Sequence, residues 1–353
     1  MHSNIKIKPF PLKTASEKEY RAANAFGNIM RAEQLPDDPP IPLAEEIQRW
    51  QNIPPFVDVR VWAASNADES GALASGLVEY LKTENNQHLA EFQIQVHPEF
   101  RRRGIARQLL TQIANDARAN KRTLLITNTT DRVPAGEAFM TRLGAERGLE
   151  SHTNQLDLRD LPRDLIREWL ARAPERAAGY ELKFLDGPVP EEMLTDFIAL
   201  FDVMNTAPRG TLQVEDFKMT PEQFRQQEAS MAARGLAHWT FYAREKATGK
   251  LVGFTDTAWH PNRPMILNQR GTAVVPEYRG HGLGRWLKAA MLDKVLRERP
   301  SVRYVRTGNA DSNAAMLKIN FELGFKHYIS QTIWQIQVDK VFEYLNQKEM
   351  THA

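Results

Sequence analysis

The chain has 353 residues, 42% of them hydrophobic and 25% charged, and a length above about 250–300 residues favours two domains over one. The net charge of +2 without long single-sign blocks argues against a nucleic-acid partner, and the absence of cysteine excludes disulfides, zinc–thiolate sites and a cysteine nucleophile. The first residues lack an apolar signal segment and no stretch reaches the ~18 apolar residues of a membrane span, so we expect a cytoplasmic protein without membrane contacts.

The first half of the sequence alternates strand and helix patterns. Its predicted elements are, in order, strands at 5–10 and 58–64 with helices between them, a strand at 91–96, a helix at 105–119, a strand at 123–127 and a helix at 135–143. A charged, proline-containing segment at 161–178 then indicates a linker that contains a helix around 163–171.

The second half follows a similar order. Its predicted elements are a strand at 180–185, helices at 191–204 and 221–233, strands at 238–244, 251–259 and 266–275, a helix at 282–298, a strand at 302–307, a helix at 312–323 and a strand at 329–338. The helix at 221–233 has a clear start signal, because Thr220 precedes Pro221.

The chain repeats itself once. Residues 96–107 share Val, Pro, Glu, Arg, Gly and Arg in register with residues 274–285, so that Gly104 and Gly282 are 178 residues apart. Further along, Gly144 and Gly324 follow the two helices at a separation of 180. Two matches at nearly one offset predict two copies of one fold. We expect an N-terminal domain at 1–158, a helical linker at 159–178 and a C-terminal domain at 179–353.

The most informative motif lies at 274–285, where a β-branched strand enters a glycine-rich turn and a helix begins at once. Glycines at 280, 282 and 284 allow close backbone approach. The first N–H groups of the helix lack internal partners, and the helix dipole favours an anion there. Arg279 adds a cation. These features together predict a site for a diphosphate.

Two other glycine loops fit less well. A P-loop needs a lysine after its last glycine, whereas Arg285 follows Gly284. The dinucleotide fingerprint needs a third glycine where Leu287 stands, and it follows the first strand of its domain rather than a middle one.

The remaining pattern, Arg-x-x-Gly-x-Gly or Ala, resembles the acyl-CoA loop of the GNAT superfamily of N-acetyltransferases. Arg279, Gly282 and Gly284 match it in the second copy, and Arg101, Gly104 and Ala106 in the first. The stretch 309–325 resembles the next motif of that family. The tandem arrangement is similar to that of mycothiol synthase. The resemblance implies an α/β fold of two GNAT-like domains, each a mixed, mostly antiparallel sheet flanked by helices.

The resemblance also implies an acyl donor, acetyl-CoA or another acyl-CoA, and no metal. The pantetheine would pair with the strand before the loop, the diphosphate would lie on loop N–H groups, and two asparagines after the next strand would add contacts. These residues are Thr272, Ala273, Val274, Val275, Arg279, Gly280, His281, Gly282, Leu283, Gly284, Arg285, Asn309 and Asn313. A secondary or degenerate site would use Val96, Arg101, Arg102, Arg103, Gly104, Ile105, Ala106 and Arg107.

The implied reaction is direct attack of a small-molecule amine on the thioester in a ternary complex. A base is needed to deprotonate the amine, but the strand at 266–275 lacks the carboxylate that many family members place there. Asp256 is the first candidate and His260 the second, and for both the alternative is an ordinary polar strand or turn residue.

The sequence departs from the family at the leaving-group acid, because Asn320 and, in the first copy, Met140 stand where many members have a tyrosine. The thiolate could leave unassisted, or another tyrosine such as Tyr328 could protonate it. These departures also allow a different class of function, a CoA-binding or scaffolding module whose catalysis has decayed. An enzyme that acetylates proteins is a third, weaker hypothesis.

Overall fold

A computed structural model of the chain describes residues 5–66 and 71–350, with side chains up to residue 347. Within these ranges the strands are β1 (Lys6–Phe10), β2 (Val57–Ser65), β3 (Ala72–Leu81), β4 (Leu89–Val96), β5 (Leu124–Thr130), β6 (Glu146–Asp157), β7 (Tyr180–Asp186), β8 (Ala237–Glu245), β9 (Leu251–Trp259), β10 (Ile266–Val274), β11 (Tyr304–Ala310) and β12 (Lys326–Gln337).

Ten helices accompany these strands in the described ranges. They are α1 (Glu17–Gln34), α2 (Leu43–Gln51), α3 (Ile105–Ala119), α4 (Pro134–Leu143), α5 (Arg163–Arg176), α6 (Leu194–Phe201), α7 (Pro221–Ala233), α8 (Leu283–Glu298), α9 (Ala314–Glu322) and α10 (Val338–Met350). No helix in the described part of the chain combines the length and apolarity needed to cross a membrane.

The chain divides into two compact units. Unit 1 comprises Met1–Glu150, Arg209–Asp216 and Ser330–Ala353, and unit 2 comprises Ser151–Pro208 and Phe217–Ile329.

Unit 1 contains a sheet in the order β1-β2-β3-β4-β5-β12, to which β12 contributes residues 330–337. Only β4 and β5 run parallel among these neighbours. Helices α3 and α10 pack together on one face, where the buried core includes Phe92, Leu110, Met140, Trp334 and Val341.

Unit 2 has the same arrangement, with the order β6-β11-β10-β9-β8-β7 and residues 151–157 of β6 at its edge. Here β10 and β11 form the parallel pair. Helices α5 and α8 pack together over one face, in a core that includes Leu156, Ile166, Leu292 and Phe325. On the other face, α6 and α7 pack in a core with Phe197, Phe224 and Phe254. Both units confirm the predicted fold class, a mixed and mostly antiparallel sheet with flanking helices.

Each unit takes its last strand and the following helix from the other half of the sequence. Unit 2 contains the end of β6 together with α5, and unit 1 contains the end of β12 together with α10. The segment predicted as a linker therefore forms a helix that packs against α8 in unit 2. The predicted domain bounds, 1–158 and 179–353, remain a prediction about the two sequence copies.

Most predicted elements appear within a few residues of their expected ends. Helix α7 spans the predicted residues, because Thr220 and Gln223 form a reciprocal capping box and Pro221 occupies the first turn. Strands β3 and β6 and helix α10 were not predicted. In β3, buried Ala74 and Gly76 replace the larger apolar residues by which strands are usually recognised.

Candidate active site

The glycine-rich loop of unit 2 connects β10 to α8. Gly280 and Gly282 have φ angles of 89° and 78°, in the left-handed region that favours glycine. Helix α8 begins after Gly282 without a side-chain cap. A Cβ atom placed on Gly280 would meet nothing within 4 Å. The first N–H groups of α8 therefore lie behind an open cradle that suits an anion.

The corresponding loop of unit 1 connects β4 to α3 and has the same backbone form. Arg102 and Gly104 have φ angles of 62° and 79°, and α3 also begins without a side-chain cap. Arg102 occupies the place of Gly280 although it is not a glycine. Ile105, the first residue of α3, is buried at 1% exposure and anchors the helix start.

The loop arginines have different partners in the two copies. Arg279 donates from Nε to the Val274 carbonyl at 3.0 Å and from Nη2 to the Thr206 hydroxyl at 3.1 Å. Arg101 makes the equivalent bond to the Val96 carbonyl at 3.1 Å, but its Nη1 donates to a carboxylate oxygen of Glu33 at 2.7 Å. Both partners of Arg279 are neutral, whereas Glu33 neutralises Arg101.

Other predicted loop contacts already have partners inside their own units. Arg285 donates twice to Glu322 at 2.9 Å, and the His281 ring lies 5.6 Å from the ring of Tyr180. In unit 1, Arg103 donates to the Glu99 carbonyl at 2.9 Å, and Arg107 donates to the Leu345 carbonyl. The groups of the two loops that can contact a ligand are therefore backbone groups more than side chains.

Strands β10 and β11 separate just before the loop. Their pairing covers only Ile266–Asn268 and Tyr304–Arg306, and β10 then has a bulge between Gln269 and Thr272. Beyond the bulge, β10 continues to pair with β9.

The open edge of β10 presents a backbone N–H group that does not bond to β9. The Val275 N–H donates to the Val252 carbonyl at 2.9 Å. Because successive residues of a strand point their N–H groups to opposite sides, the Val274 N–H points away from β9. Ala273 and Val275 pack toward the core with Phe254, and the Thr272 hydroxyl bonds to Thr255 at 2.7 Å.

The two predicted asparagines serve local structure. Asn313 caps α9, where its Oδ1 accepts the Met316 N–H at 3.3 Å. The Oδ1 of Asn309 accepts a bond from Asn320 Nδ2 at 2.7 Å. Their contacts to a nucleotide remain a prediction.

A buried polar cluster behind the open edge was not predicted. Lys288 of α8 is 1% exposed and Asn320 of α9 is fully buried. Lys288 Nζ donates to Gln269 Oε1 at 3.0 Å and to Asn320 Oδ1 at 2.7 Å, and Gln269 also donates to Thr255 at 2.9 Å. The sequence signal was a lysine on the apolar face of α8, three residues before Met291 and four before Leu292.

Asp256 lies on the opposite face of the sheet and holds the bulge. It is 2% exposed, and its Oδ1 accepts the Gly271 N–H at 2.6 Å. Its Oδ2 lies 2.9 Å from His238 Nε2 and 3.5 Å from Arg270 Nε. His238 was not predicted, although a hairpin of β8 and β9 makes it a diagonal neighbour of Asp256.

His260 is committed to a turn. Its Nε2 lies 3.1 Å from the Arg234 carbonyl, and its Nδ1 accepts the Asn262 N–H at 3.0 Å. Both ring nitrogens therefore have backbone partners. Among the described residues no group of three or more His, Asp or Glu side chains could hold a metal ion.

Family models agree with this geometry. A model described as acetyltransferase (GNAT) domain matches residues 58–144, and one described as acetyltransferase (GNAT) family matches residues 200–325. The matched ranges together take in more than half of the chain, one range for each copy. No curated protein sequence matches the chain.

Solved structures resemble almost the whole chain. A tandem GNAT protein from the clavulanic acid biosynthesis pathway is 26% identical with a TM-score of 0.78, covering 95% of this chain and 99% of that one. A GCN5-related N-acetyltransferase from Sphaerobacter thermophilus is 14% identical with a TM-score of 0.66, covering 94% and 96%; this second likeness shows the fold alone.

The fold, the loops and these matches define an acetyltransferase of the GNAT class. The chain belongs to the GNAT family and carries two GNAT domains in tandem.

Proposed function

We propose that the chain transfers an acyl group from acetyl-CoA, or another acyl-CoA, to the amine of a small molecule, with the C-terminal copy as the catalytic one. The observation that carries this proposal is the uncapped start of α8 behind Gly280 and Gly282, beside an arginine without an acidic partner among the described residues.

The residues of unit 2 fit the donor in two places. N–H groups of the first turn of α8 would hold the diphosphate, with Arg279 adding charge. The open edge of β10 would pair with the pantetheine amides, which lose water on binding. The Val274 N–H would then polarise the thioester carbonyl as charge develops on its oxygen. Acetyl-CoA supplies the activated acyl group, and orientation by the protein supplies much of the rate gain.

We assign the base to the pair of His238 and Asp256. His238 is the more accessible partner, with 17% of its side chain exposed against 3% for Asp256. Asp256 already accepts the Gly271 N–H, so it suits the role of orienting the imidazole. His238 would take the proton of the attacking amine, and Asp256 would stabilise the imidazolium that forms.

The cavity beside α6 and α7 suits a small acceptor. A cavity of about 270 Å³ lies there, lined mainly by apolar side chains that include Phe201, Met219 and Phe224. The structurally similar tandem GNAT protein comes from a biosynthetic pathway for a small molecule. Both observations support a compact amine better than a protein tail as the substrate.

Thiol release from acetyl-CoA in the presence of a broad panel of small amines tests this proposal. We expect turnover with at least one amine and calorimetric binding of acetyl-CoA without any amine. An absence of both binding and thiol release would contradict the proposal.

The decayed-module alternative is favoured by one observation, the Asn320 side chain at the place of the expected tyrosine. It predicts tight acetyl-CoA binding without turnover on any amine in the same assay.

The N-terminal copy has its own candidate base. Glu79 and Glu91 lie directly opposite each other on β3 and β4, and burial together with Glu91 raises the pKa of Glu79 to about 6. Catalysis in this copy is the second candidate, and substitution of the two loops separately distinguishes it from the first.

A further inference from the structure

Lys288 is a buried cation without a carboxylate partner. Its Nζ bonds to the amide oxygens of Gln269 and Asn320, and the ring of Phe325 lies 5.4 Å away. A buried charge is costly unless it is paired. Burial accordingly lowers the pKa of the Lys288 ammonium to about 7.

The fold does not require this charge, as the N-terminal copy shows. The repeat offset and the strand pairing place Leu110, Met140 and Phe92 where unit 2 has Lys288, Asn320 and Gln269. All three belong to the apolar core of unit 1 and are at most 4% exposed. One copy therefore fills these positions with hydrocarbon, and the other with a hydrogen-bonded lysine.

The lysine lies where β10 and β11 separate. Gln269 is the residue of β10 that follows its last pairing with β11, and Asn320 also bonds to Asn309 of β11. Lys288 Nζ is thus linked to β10 through Gln269 and to β11 through Asn320 and Asn309, beside the point where the parallel pairing ends. The Val274 N–H, on the same open edge, is the proposed partner of the thioester carbonyl.

We propose that Lys288 is the acid that protonates the sulfur of CoA as it leaves. This inference rests on the proposed function. It gives Lys288 the role of the tyrosine that Asn320 replaces.

The step balances as follows. The amine nitrogen attacks the carbonyl carbon and its proton goes to His238. The C–S bond breaks with its electron pair on sulfur, and the sulfur takes a proton from Lys288 Nζ. Lys288 is left neutral and regains a proton from solvent after the products leave. A thiol has an ordinary pKa of ~8.5, so transfer from a lysine of lower pKa to the thiolate is downhill.

Charged groups on the surrounding elements are engaged elsewhere. Arg285 of α8 pairs with Glu322 of α9. Arg172 pairs with Glu168 within α5, and Arg306 of β11 bonds to Gln155. His238 of β8, Asp256 of β9 and Arg270 of β10 form their own cluster on the opposite face of the sheet. The thiolate would thus be the counter-ion that Lys288 lacks.

Lysine NMR of the full-length wild-type protein tests the proposal without any turnover. The titration midpoint of Lys288, assigned by its loss in Lys288→Met, is measured free, with CoA, and with desulfo-CoA, which lacks the sulfur. We expect CoA to raise the midpoint by about half a pH unit or more. The rise is smaller than the 1–3 units caused by a fixed opposite charge within 4–6 Å, because a thiol of ordinary pKa ~8.5 is mostly neutral at the midpoint of free Lys288. Desulfo-CoA should leave it within a few tenths of the free value.

Equal midpoints with both bound ligands would overturn the inference alone, whereas failure of both ligands to bind would overturn the proposed function with it.

As a second measurement, Lys288→Met should lower kcat about 100-fold, the scale of general acid catalysis, with KM for acetyl-CoA within about threefold. Wild-type kcat should fall at high pH as Lys288 loses its proton, and the variant should lack that limb. Lys318→Met, an exposed lysine on α9, is the control and should match wild type. A Lys288→Met profile that keeps the high-pH limb would contradict the assignment.

Discussion

The two loops of this chain share a backbone but differ in their surroundings. Each has two alternate residues in the left-handed region, 102 and 104 in one loop and 280 and 282 in the other, and each precedes a helix without a side-chain cap. In the N-terminal copy Arg102 adopts this conformation and Glu33 neutralises Arg101, whereas in the C-terminal copy both positions are glycine and Arg279 has no acidic partner among the described residues. Packing can therefore preserve the turn after a glycine is lost, and we propose that the side chains around it distinguish a donor site from a structural turn.

The sheets differ in the same way. Parallel pairing ends at Glu91 in β4 and at Asn268 in β10, so these two residues correspond. Following the antiparallel pairs from each of them across two neighbouring strands places Val59 where the C-terminal copy has His238. At this position and at that of Leu110 and Lys288, which lie on opposite faces of the sheet, a polar group of the C-terminal copy replaces an apolar one of the N-terminal copy.

The largest effect should come from the proposed base. His238→Ala should lower kcat by about 100-fold or more, because a positioned general base contributes on that scale. His260→Ala is the comparison and should retain kcat within about threefold. Steady-state kinetics would contradict the assignment if the two variants lost activity equally.

The apolar residues of the N-terminal copy can replace the buried polar cluster of the C-terminal copy. The triple variant Gln269→Phe, Lys288→Leu, Asn320→Met should be inactive yet more stable by about 1–3 kcal/mol at pH 7, because a buried charge is replaced by hydrocarbon. Urea unfolding measures this.

The pH dependence follows from the same lysine. The folded-state pKa of Lys288, about 7, lies below the ordinary value, so between pH 7 and 10 the unfolded chain binds more protons. Wild-type stability should therefore rise with pH across this window relative to the triple variant. A stability difference that does not change with pH would show that Lys288 keeps its ordinary pKa and stays charged in the folded protein across this window.

Replacing the two loop arginines should have smaller effects, on donor affinity in one copy and on stability in the other. Arg279→Ala should weaken acetyl-CoA binding about tenfold, the loss of one charge-assisted bond. Arg101→Ala should leave binding unchanged and slightly destabilise the fold, because Glu33 loses its partner. Calorimetry and unfolding of both variants check this, and equal losses of affinity would place donor binding in both copies.

The smallest effect concerns strain. Arg102→Gly should stabilise the chain by about 0.5–1 kcal/mol, because glycine adopts a positive φ without the steric cost of a Cβ atom. A loss of stability on urea unfolding would show that the Arg102 side chain makes compensating contacts.

The sequence predicted what local patterns encode. The repeated loop, the strand and helix order and the boundaries of α7 follow from glycine spacing, periodicity and capping. The family resemblance added the donor, and the matches to both copies support it.

Long-range features could not be predicted. The pairing of β6 and β12 with strands from the other half of the sequence spans 147 to 213 residues, which no local pattern contains. The pair of His238 and Asp256 depends on the hairpin register, and the bonds of Lys288 depend on three separate elements. His260 appeared suitable in sequence because its backbone partners form only in the folded turn.

Calorimetry of acetyl-CoA with two matched loop variants tests whether the donor binds at the loop before α8. Gly282→Glu places bulk and negative charge at a left-handed position in the cradle before α8, and Gly104→Glu does the same before α3. We expect Gly282→Glu to weaken binding at least about 100-fold, well beyond one charge-assisted bond, and Gly104→Glu to bind like wild type. Unchanged affinity in Gly282→Glu, or loss of binding only in Gly104→Glu, would contradict this expectation.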